Sequence, residues 1–167
     1  MKSFLLACFF AVLAVSSCKV VKYTPEKFPS KQIIWEQGGG FTGVEVSYTL
    51  LPNGQLFKRT GVDGPYIELK PLKKKKATPF FEKMASLQLY KQDIEKPGNL
   101  YYFLQEVTEA TDSRVVWGAG DFIPPAGFVK LYKELNALAE RPALEKQRKT
   151  TTNDDGTKEQ PADPSKW

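Results

Sequence analysis

The chain predicts an α+β domain in which one antiparallel sheet of about five or six strands carries two helices on a single face. Two observations support this class. A strictly alternating apolar segment is followed by a turn signal, which is typical of strands in a meander. Two later stretches repeat apolar residues at helical spacing, so the order is strands, helix, strands, helix over residues 31–139. A region of this length can bury a core without disulfides.

The first strands are predicted from alternation and turn residues. Residues 33–35 are a short β-prone run, and residues 44–50 alternate between apolar and polar side chains. Pro52-Asn53-Gly54 is a turn signal, so residues 55–60 can return as a third antiparallel strand. Residues 66–69 add a short fourth strand. The apolar face of the alternating strand would carry Val44, Val46, Tyr48 and Leu50.

The first helix is predicted over about residues 73–88. Pro79 lies within it, so the helix either bends there or begins later, with Thr78 as its N-cap and Pro79 in the first turn. Residues 73–76 are four consecutive lysines, which we interpret as a solvated helix end, with a patch for anionic lipid or an acidic partner as the alternative. The apolar positions are Ala77, Phe80, Phe81, Met84 and Leu87.

The second half repeats the plan of strands followed by a helix. Residues 100–108 begin apolar on both faces, which favours an interior strand with a helix over one side. Residues 114–117 form the last expected strand. After Pro124-Pro125, apolar residues at helical spacing predict a helix over residues 125–139. The periodic positions of that helix are Phe128, Leu131, Tyr132, Leu135 and Leu138.

The N-terminal segment has the features of an export signal. It contains Lys2, an unbroken apolar run of twelve residues from Phe4 to Val15, and the small residues Ser16 and Ser17. A secretory signal needs a basic start, an apolar centre and small residues before the cleavage site. A membrane-spanning helix needs about 18 or more apolar residues, so this run is too short to be one. We expect residues 1–17 to be removed.

The string Val15-Ser16-Ser17-Cys18 resembles the lipobox of bacterial lipoproteins. The resemblance implies that the Cys18 thiol receives a diacylglyceryl group, that palmitate labels it, and that the chain is anchored in a bacterial envelope membrane, for which we expect the outer membrane. Several acyl chains on one residue hold a protein stably at a bilayer. The alternative is an ordinary secreted protein with Cys18 near the cleavage site by chance. A lipidated Cys18 leaves no thiol for a disulfide, because Cys8 leaves with the signal.

Composition shifts divide the mature chain into a tether, a domain and a tail. Residues 18–30, with Pro25 and Pro29 and no apolar period, are predicted to be the lipidated cysteine followed by a flexible tether. We expect Lys19 and Lys22 to be solvated, with attraction to anionic lipid as the alternative. Residues 140–167 are polar and are predicted to be disordered. Removal of the signal takes away Lys2 alone, so the formal net charge falls from +5 to +4.

The composition excludes several function classes. The chain contains no histidine, which removes the commonest general base and the commonest metal ligand. No Cys/His metal cluster and no histidine-based nucleophile system can be assembled, so we predict no metal and no cofactor. The charge is too mild, and the export signal too clear, for a nucleic-acid partner. A non-enzymatic binding module with a protein or surface component as partner is the first expectation, since aromatic residues are enriched at interfaces.

The most distinctive local string is Gly38-Gly39-Gly40-Phe41-Thr42-Gly43. It precedes a strand rather than a helix and lacks the Lys-Ser/Thr of a phosphate loop, so we interpret it as an exposed hairpin tip. Phe41 is expected to pack over the sheet edge, with exposure as a contact residue as the alternative.

Together with the following strand and turn, the glycine string resembles the opening of small uncharacterised lipoproteins of the Bacteroidetes type. It is also similar to the Gly-Gly-Phe-x-Gly opening of emfourin-like inhibitors of thermolysin-type metalloproteases, with matches at Gly39, Gly40, Phe41 and Gly43. This similarity implies binding through those four residues and gives protease inhibition as an alternative function.

A carboxylate-based hydrolase is the third alternative. Asp121 stands alone in the string Trp117-Gly118-Ala119-Gly120-Asp121-Phe122, so it reads as a turn residue rather than a metal ligand. Glu106 and Glu109 are three positions apart in a strand and therefore point to opposite faces. The sequence thus offers no acid pair for catalysis.

Overall fold

The computed structural model describes residues 21–144, which form a seven-stranded sheet with two helices. The sheet has the order β4-β3-β2-β1-β6-β7-β5, and every pair is antiparallel except β5 with β7. The α+β class is confirmed, with slightly more strands than expected. The strands are β1 Gln32–Gly39, β2 Val46–Leu50, β3 Leu56–Thr60, β4 Ile67–Leu69, β5 Glu95–Lys96, β6 Leu100–Val107 and β7 Asp112–Trp117.

Two helices, α1 Lys74–Leu87 and α2 Ala126–Asn136, pack on the same face of the sheet, and a 3₁₀ turn at Leu89–Lys91 follows α1. α1 runs through Pro79, so the longer of the two expected helices forms. Thr78 is not an N-cap, because its hydroxyl donates to the Lys74 carbonyl one turn earlier. Within residues 21–144, neither helix is long and apolar enough to cross a bilayer.

The core lies between the helices and the sheet, and every strand except β5 contributes a buried apolar residue to it. Ile33 and Trp35 of β1 are fully buried, and the Trp35 ring stacks on Tyr48 at 5.3 Å between centroids. Each such side chain contributes roughly 1.5–3 kcal/mol by leaving water. β6 lies between β1 and β7, as its apolar start predicts. The core is completed by side chains from both helices: Ala77, Phe81, Met84, Phe128, Leu131, Tyr132 and Leu135.

The other face of the sheet, which we call the open face, carries no helix from residues 21–144 and is nevertheless partly buried. Ser47 and Thr49 of β2 point to it and are only 8% and 3% exposed. The alternation pattern predicts these two residues as the polar side of the strand. They are shielded because they pair with Arg59 and Phe57 of β3, whose larger side chains stand beside them. Val44, expected inside the strand, precedes it and is exposed.

The described part of the expected tether, residues 21–30, lies against the domain. The Phe28 ring packs on Phe57 and Tyr66 of the open face, with centroids 4.9 and 5.3 Å away. The Tyr23 N–H donates to the Gln55 side chain at 2.7 Å, and the Gln55 amide donates back to the Tyr23 carbonyl at 3.1 Å. Gln55 is buried and needs such partners, which is the physical reason the segment docks.

The first residues of the expected tail also pair with the sheet. The Lys70 N–H donates to the Pro142 carbonyl at 2.8 Å, and the Leu144 N–H donates to the Glu68 carbonyl at 2.7 Å. Residues 142–144 therefore run along the outer edge of β4. The predicted signal, Cys18 and the remainder of the tail lie outside the described residues.

Candidate functional site

The glycine loop, residues 38–43, leaves the end of β1 in a conformation that other residues rarely adopt. Gly39, Gly40 and Gly43 have φ angles of 85°, 73° and 61°, in the left-handed region that favours glycine. The Gly40 N–H donates to the Asn99 carbonyl at 2.7 Å, which fixes the loop to the start of β6. The backbone of the loop is therefore held by the sheet.

Gly38 and Gly39 also lie in close contact with β6 and the residue before it. A Cβ atom on Gly38 would lie 2.5 Å from the Tyr101 ring, and one on Gly39 would lie 2.1 Å from the Asn99 carbonyl oxygen. The Asn99 carbonyl belongs to the backbone, so β1 and β6 reach this separation only with glycine at position 39. A side chain at position 38 would displace the end of the Tyr101 side chain. A Cβ on Gly43 would meet open space, and its requirement is conformational.

Phe41 does not pack over the sheet edge, contrary to the first expectation. Its side chain is fully exposed, with no neighbour to shield it. The left-handed residues Gly39 and Gly40 turn the chain outward while the bond to Asn99 holds the base of the loop. Phe41 is thus carried beyond the sheet, the position that the sequence suggests for a contact residue.

Several connections meet at the same end of the sheet, and we call it the glycine-loop end. Asn99 and Leu100 stand between the glycine loop and Gly118: a Cβ on Gly118 would lie 2.3 Å from the Leu100 carbonyl oxygen. The Gly61 N–H donates to the Glu45 carbonyl at 2.8 Å, which adds the β3–β4 connection. The glycine loop and the string Trp117–Phe122 therefore begin at the same end of the sheet. The exposed apolar residues at this end are Phe41, Val44, Val62, Leu100 and Ile123.

A depression of about 470 Å³ lies beside the loop on the helix side. Its walls come from the loop and strand ends and from the end of α2, and they are partly apolar. An extended segment of a partner has space there next to Phe41. The lining includes Thr42, Val44, Val46, Tyr48, Leu100 and Asn136.

On the open face, two carboxylates meet at one tyrosine. The Tyr101 hydroxyl donates to Glu45 Oε1 at 2.6 Å and lies 3.5 Å from Glu36 Oε1. The hydrogen bond to Glu45, with burial, raises the pKa of Tyr101 well above its usual value. Burial and the neighbouring Glu45 raise the pKa of Glu36, although Arg59 and Arg114 partly offset this. These four charged side chains, together with Glu95, line a depression of about 430 Å³.

No local sequence pattern marks this pair of carboxylates, because their proximity depends on strand register. Glu36 and Glu45 are brought together only when β1 pairs with β2 and when Tyr101 stands opposite Gly38. The pair supplies the closely spaced acids that the hydrolase alternative requires. Glu45 accepts the hydrogen bond of the Tyr101 hydroxyl, however, and Arg59 and Arg114 offset part of the negative charge. Arg114 also pairs with Glu95 at 3.7 Å.

The acids considered from the sequence do not form a site. Glu106 faces the helices and is buried, which raises its pKa, while Lys31 opposes that change. Glu109 lies in the turn after β6 and accepts a hydrogen bond from the Ser30 hydroxyl at 3.4 Å. Asp121 is exposed in its loop, and no group of three or more potential metal ligands occurs among residues 21–144.

Comparison with known proteins does not assign a family or a function to these sites. The chain matches no protein-family model and no curated protein.

Replacing Gly39 tests whether the loop depends on the close approach of β1 to β6. We expect Gly39→Ala to lower the free energy of unfolding by about 2–4 kcal/mol, because a left-handed alanine is strained and its Cβ meets Asn99. Gly120→Ala is the control, since its Cβ would meet open space and the change should stay within about 0.5 kcal/mol. Urea unfolding measures both, and equal effects would refute the packing argument.

The raised pKa of Glu36 predicts a pH-dependent effect of Glu36→Gln. A carboxyl with a raised folded-state pKa stabilises the fold below its unfolded pKa of about 4.3 and loses that contribution as the pH rises through the folded value. At pH 7 the variant should therefore be more stable than the parent, and the gain should vanish near pH 4. Urea unfolding at both pH values measures this, with Glu82→Gln on the exposed side of α1 as control. A gain that does not depend on pH would contradict the assignment.

Proposed function

We propose that this protein is a lipid-anchored component of a bacterial envelope that binds another protein through its glycine-loop end and has no catalytic role. The observation that carries the binding proposal is the fully exposed Phe41 on a backbone fixed by glycine packing and by Asn99. A side chain on a backbone that is already fixed requires little further ordering of the backbone on binding, which is a usual property of an interface anchor.

Further features of the same end support a protein partner. The exposed side chains Val44 and Leu100, which line the depression beside Thr42, are apolar, and clustered exposed apolar residues mark interaction surfaces. The depression beside Phe41 can accept part of the partner. The open-face carboxylates support a hydrolase less well, because Tyr101 and two arginines already satisfy or neutralise them.

The anchor part of the proposal comes from the leader, residues 1–17, and from Cys18. Two or more acyl chains on that residue would hold the protein at the membrane without a spanning helix. We propose the outer membrane as its location.

The anchor is tested by labelling growing cells with radioactive palmitate. The parent protein should incorporate label, and Cys18→Ala should abolish it, because the thiol is the acceptor. The Cys8→Ala variant is the control, since its cysteine leaves with the signal and labelling should persist. Equal labelling of the Cys18→Ala variant would remove the anchor.

Inhibition of a thermolysin-like metalloprotease is the second candidate, favoured by the exposure of Phe41 within the string that matches the inhibitors at Gly39, Gly40 and Gly43. A rigid, exposed loop is the form in which a proteinaceous inhibitor can enter an active-site cleft. In this candidate function, the partner of the glycine-loop end is a metalloprotease.

Phe41→Ala tests this candidate. The purified mature chain should slow a thermolysin-like enzyme, and Phe41→Ala should weaken inhibition by about thirtyfold, as loss of a central aromatic anchor does. Stability should not change, because the side chain makes no internal contact. Tyr90→Ala removes another exposed aromatic residue and should leave inhibition intact. No effect of the parent chain on a panel of such enzymes would exclude the candidate.

A further inference from the structure

The end of the sheet opposite the glycine loop, which we call the lysine end, gathers the docked N-terminal segment and the start of α1. The Asn53 side chain donates to the Val21 carbonyl at 2.7 Å, and the Lys22 ammonium lies 3.4 Å from Glu68. The Leu72 N–H donates to the Gly54 carbonyl at 2.9 Å, which places the beginning of α1 beside the β2–β3 turn. The first described residues and the four-lysine run are therefore neighbours.

These elements surround a depression of about 540 Å³ that combines apolar walls with lysines at its rim. Its carboxylate, Glu68, already pairs with Lys22. Lys73 and Lys74 line it and are exposed, and none of the lysines 73–76 forms an ion pair with a residue between positions 21 and 144. The remaining lining residues are Val21, Asn53, Gln55, Pro71, Leu72 and Leu144.

The position of the four lysines is electrostatically unusual for a helix. Lys73 is the N-cap, and the following three lysines occupy the first turn of α1, where acidic residues are absent. The partial positive charge of a helix N-terminus disfavours cations there and favours anions. The Lys76 N–H donates to the Lys73 carbonyl at 2.7 Å, and no side chain caps the first turn. The N–H groups of Lys74 and Lys75, which come before the first hydrogen bond of the helix, are therefore the ones that can face an anion. This arrangement is complementary to phosphate.

The covalent chain places this surface next to the proposed anchor. Cys18 precedes Val21 by three residues, which span at most about 11 Å. A domain held so close to its lipid cannot be lifted off the bilayer by a long tether, and the lysine end is the part nearest the attachment point.

We propose that the lysine end rests on anionic phospholipid headgroups, with Lys22, Lys73 and Lys74 at the contact and phosphates at the start of α1. β1 runs from this end to the glycine loop over eight residues, or about 26 Å. The glycine-loop end then points away from the membrane, and Phe41 is presented to a partner at a fixed height. The orientation rests on the proposed lipidation of Cys18, whereas headgroup binding rests on the lysines.

Vesicle sedimentation of the mature chain, residues 18–167 without lipid on Cys18, tests headgroup binding. The chain should bind vesicles of phosphatidylcholine with one third phosphatidylglycerol and not vesicles of phosphatidylcholine alone. A lysine near such a surface contributes about fivefold in partition, so Lys22→Gln, Lys73→Gln and Lys74→Gln together should weaken binding by about 100-fold. The charge-matched control combines Lys91→Gln, Lys96→Gln and Lys133→Gln, which lie away from the lysine end and should change binding by less than about twofold.

Absence of binding to phosphatidylglycerol vesicles, or equal losses in the two triple variants, would overturn the proposal. Because this assay uses the unlipidated chain, its result does not depend on whether Cys18 is acylated, which palmitate labelling decides separately.

The orientation is tested on the lipidated protein in the same vesicles, with a fluorophore on Lys70→Cys near the lysine end or on Thr42→Cys in the glycine loop. A headgroup quencher should act on the first position and not the second. Equal quenching would overturn the orientation.

Discussion

The close approach of β1 to β6 at the glycine-loop end is the constraint on which the rest of the structure depends. Gly38 and Gly39 let the Tyr101 ring and the Asn99 carbonyl come nearer than any side chain would allow. The same contact fixes the register in which Trp35 stands beside Leu104 in the core. It also anchors the loop that carries Phe41. The close approach of β1 to β6 thus accounts both for the packing of Trp35 in the core and for the position of Phe41 at the end of the sheet.

The two ends of the sheet differ in chemistry. The glycine-loop end exposes apolar side chains on a backbone held by the sheet, which suits a protein partner. The lysine end exposes Lys73 and Lys74, which form no ion pair within residues 21–144, beside an apolar depression, and this suits a charged lipid surface. β1 connects them as a rigid central strand. This difference in chemistry agrees with the proposed membrane anchor at the lysine end and the proposed binding surface at the glycine-loop end.

The order of strands and helices could be predicted because its signals are local. The alternation of residues 44–50 and the turn at Pro52-Asn53-Gly54 depend on neighbours in sequence, and Gly54 indeed has a φ of 93°. β5 was missed because it has two residues and pairs with β7 from the edge. The docking of Tyr23 was missed because its partner, Gln55, lies 32 positions away.

The candidate site was predictable in part. The glycines of residues 38–43 mark an exposed turn by type alone, but the exposure of Phe41 depends on how Asn99 holds the loop. The Glu36–Tyr101–Glu45 group combines residues from two strands and a loop, and no local sequence pattern predicts it. Composition alone excludes histidine-based catalysis, because the sequence contains no histidine.

The central claim is that the glycine-loop end is the binding surface, and site-specific photo-crosslinking in intact cells tests it most directly. A photoreactive amino acid placed at position 41 should give a discrete crosslinked product with a second protein. The same group at position 90, where Tyr90 is also exposed, should give none. Crosslinks at position 90 alone, or equal products at both positions, would contradict the account.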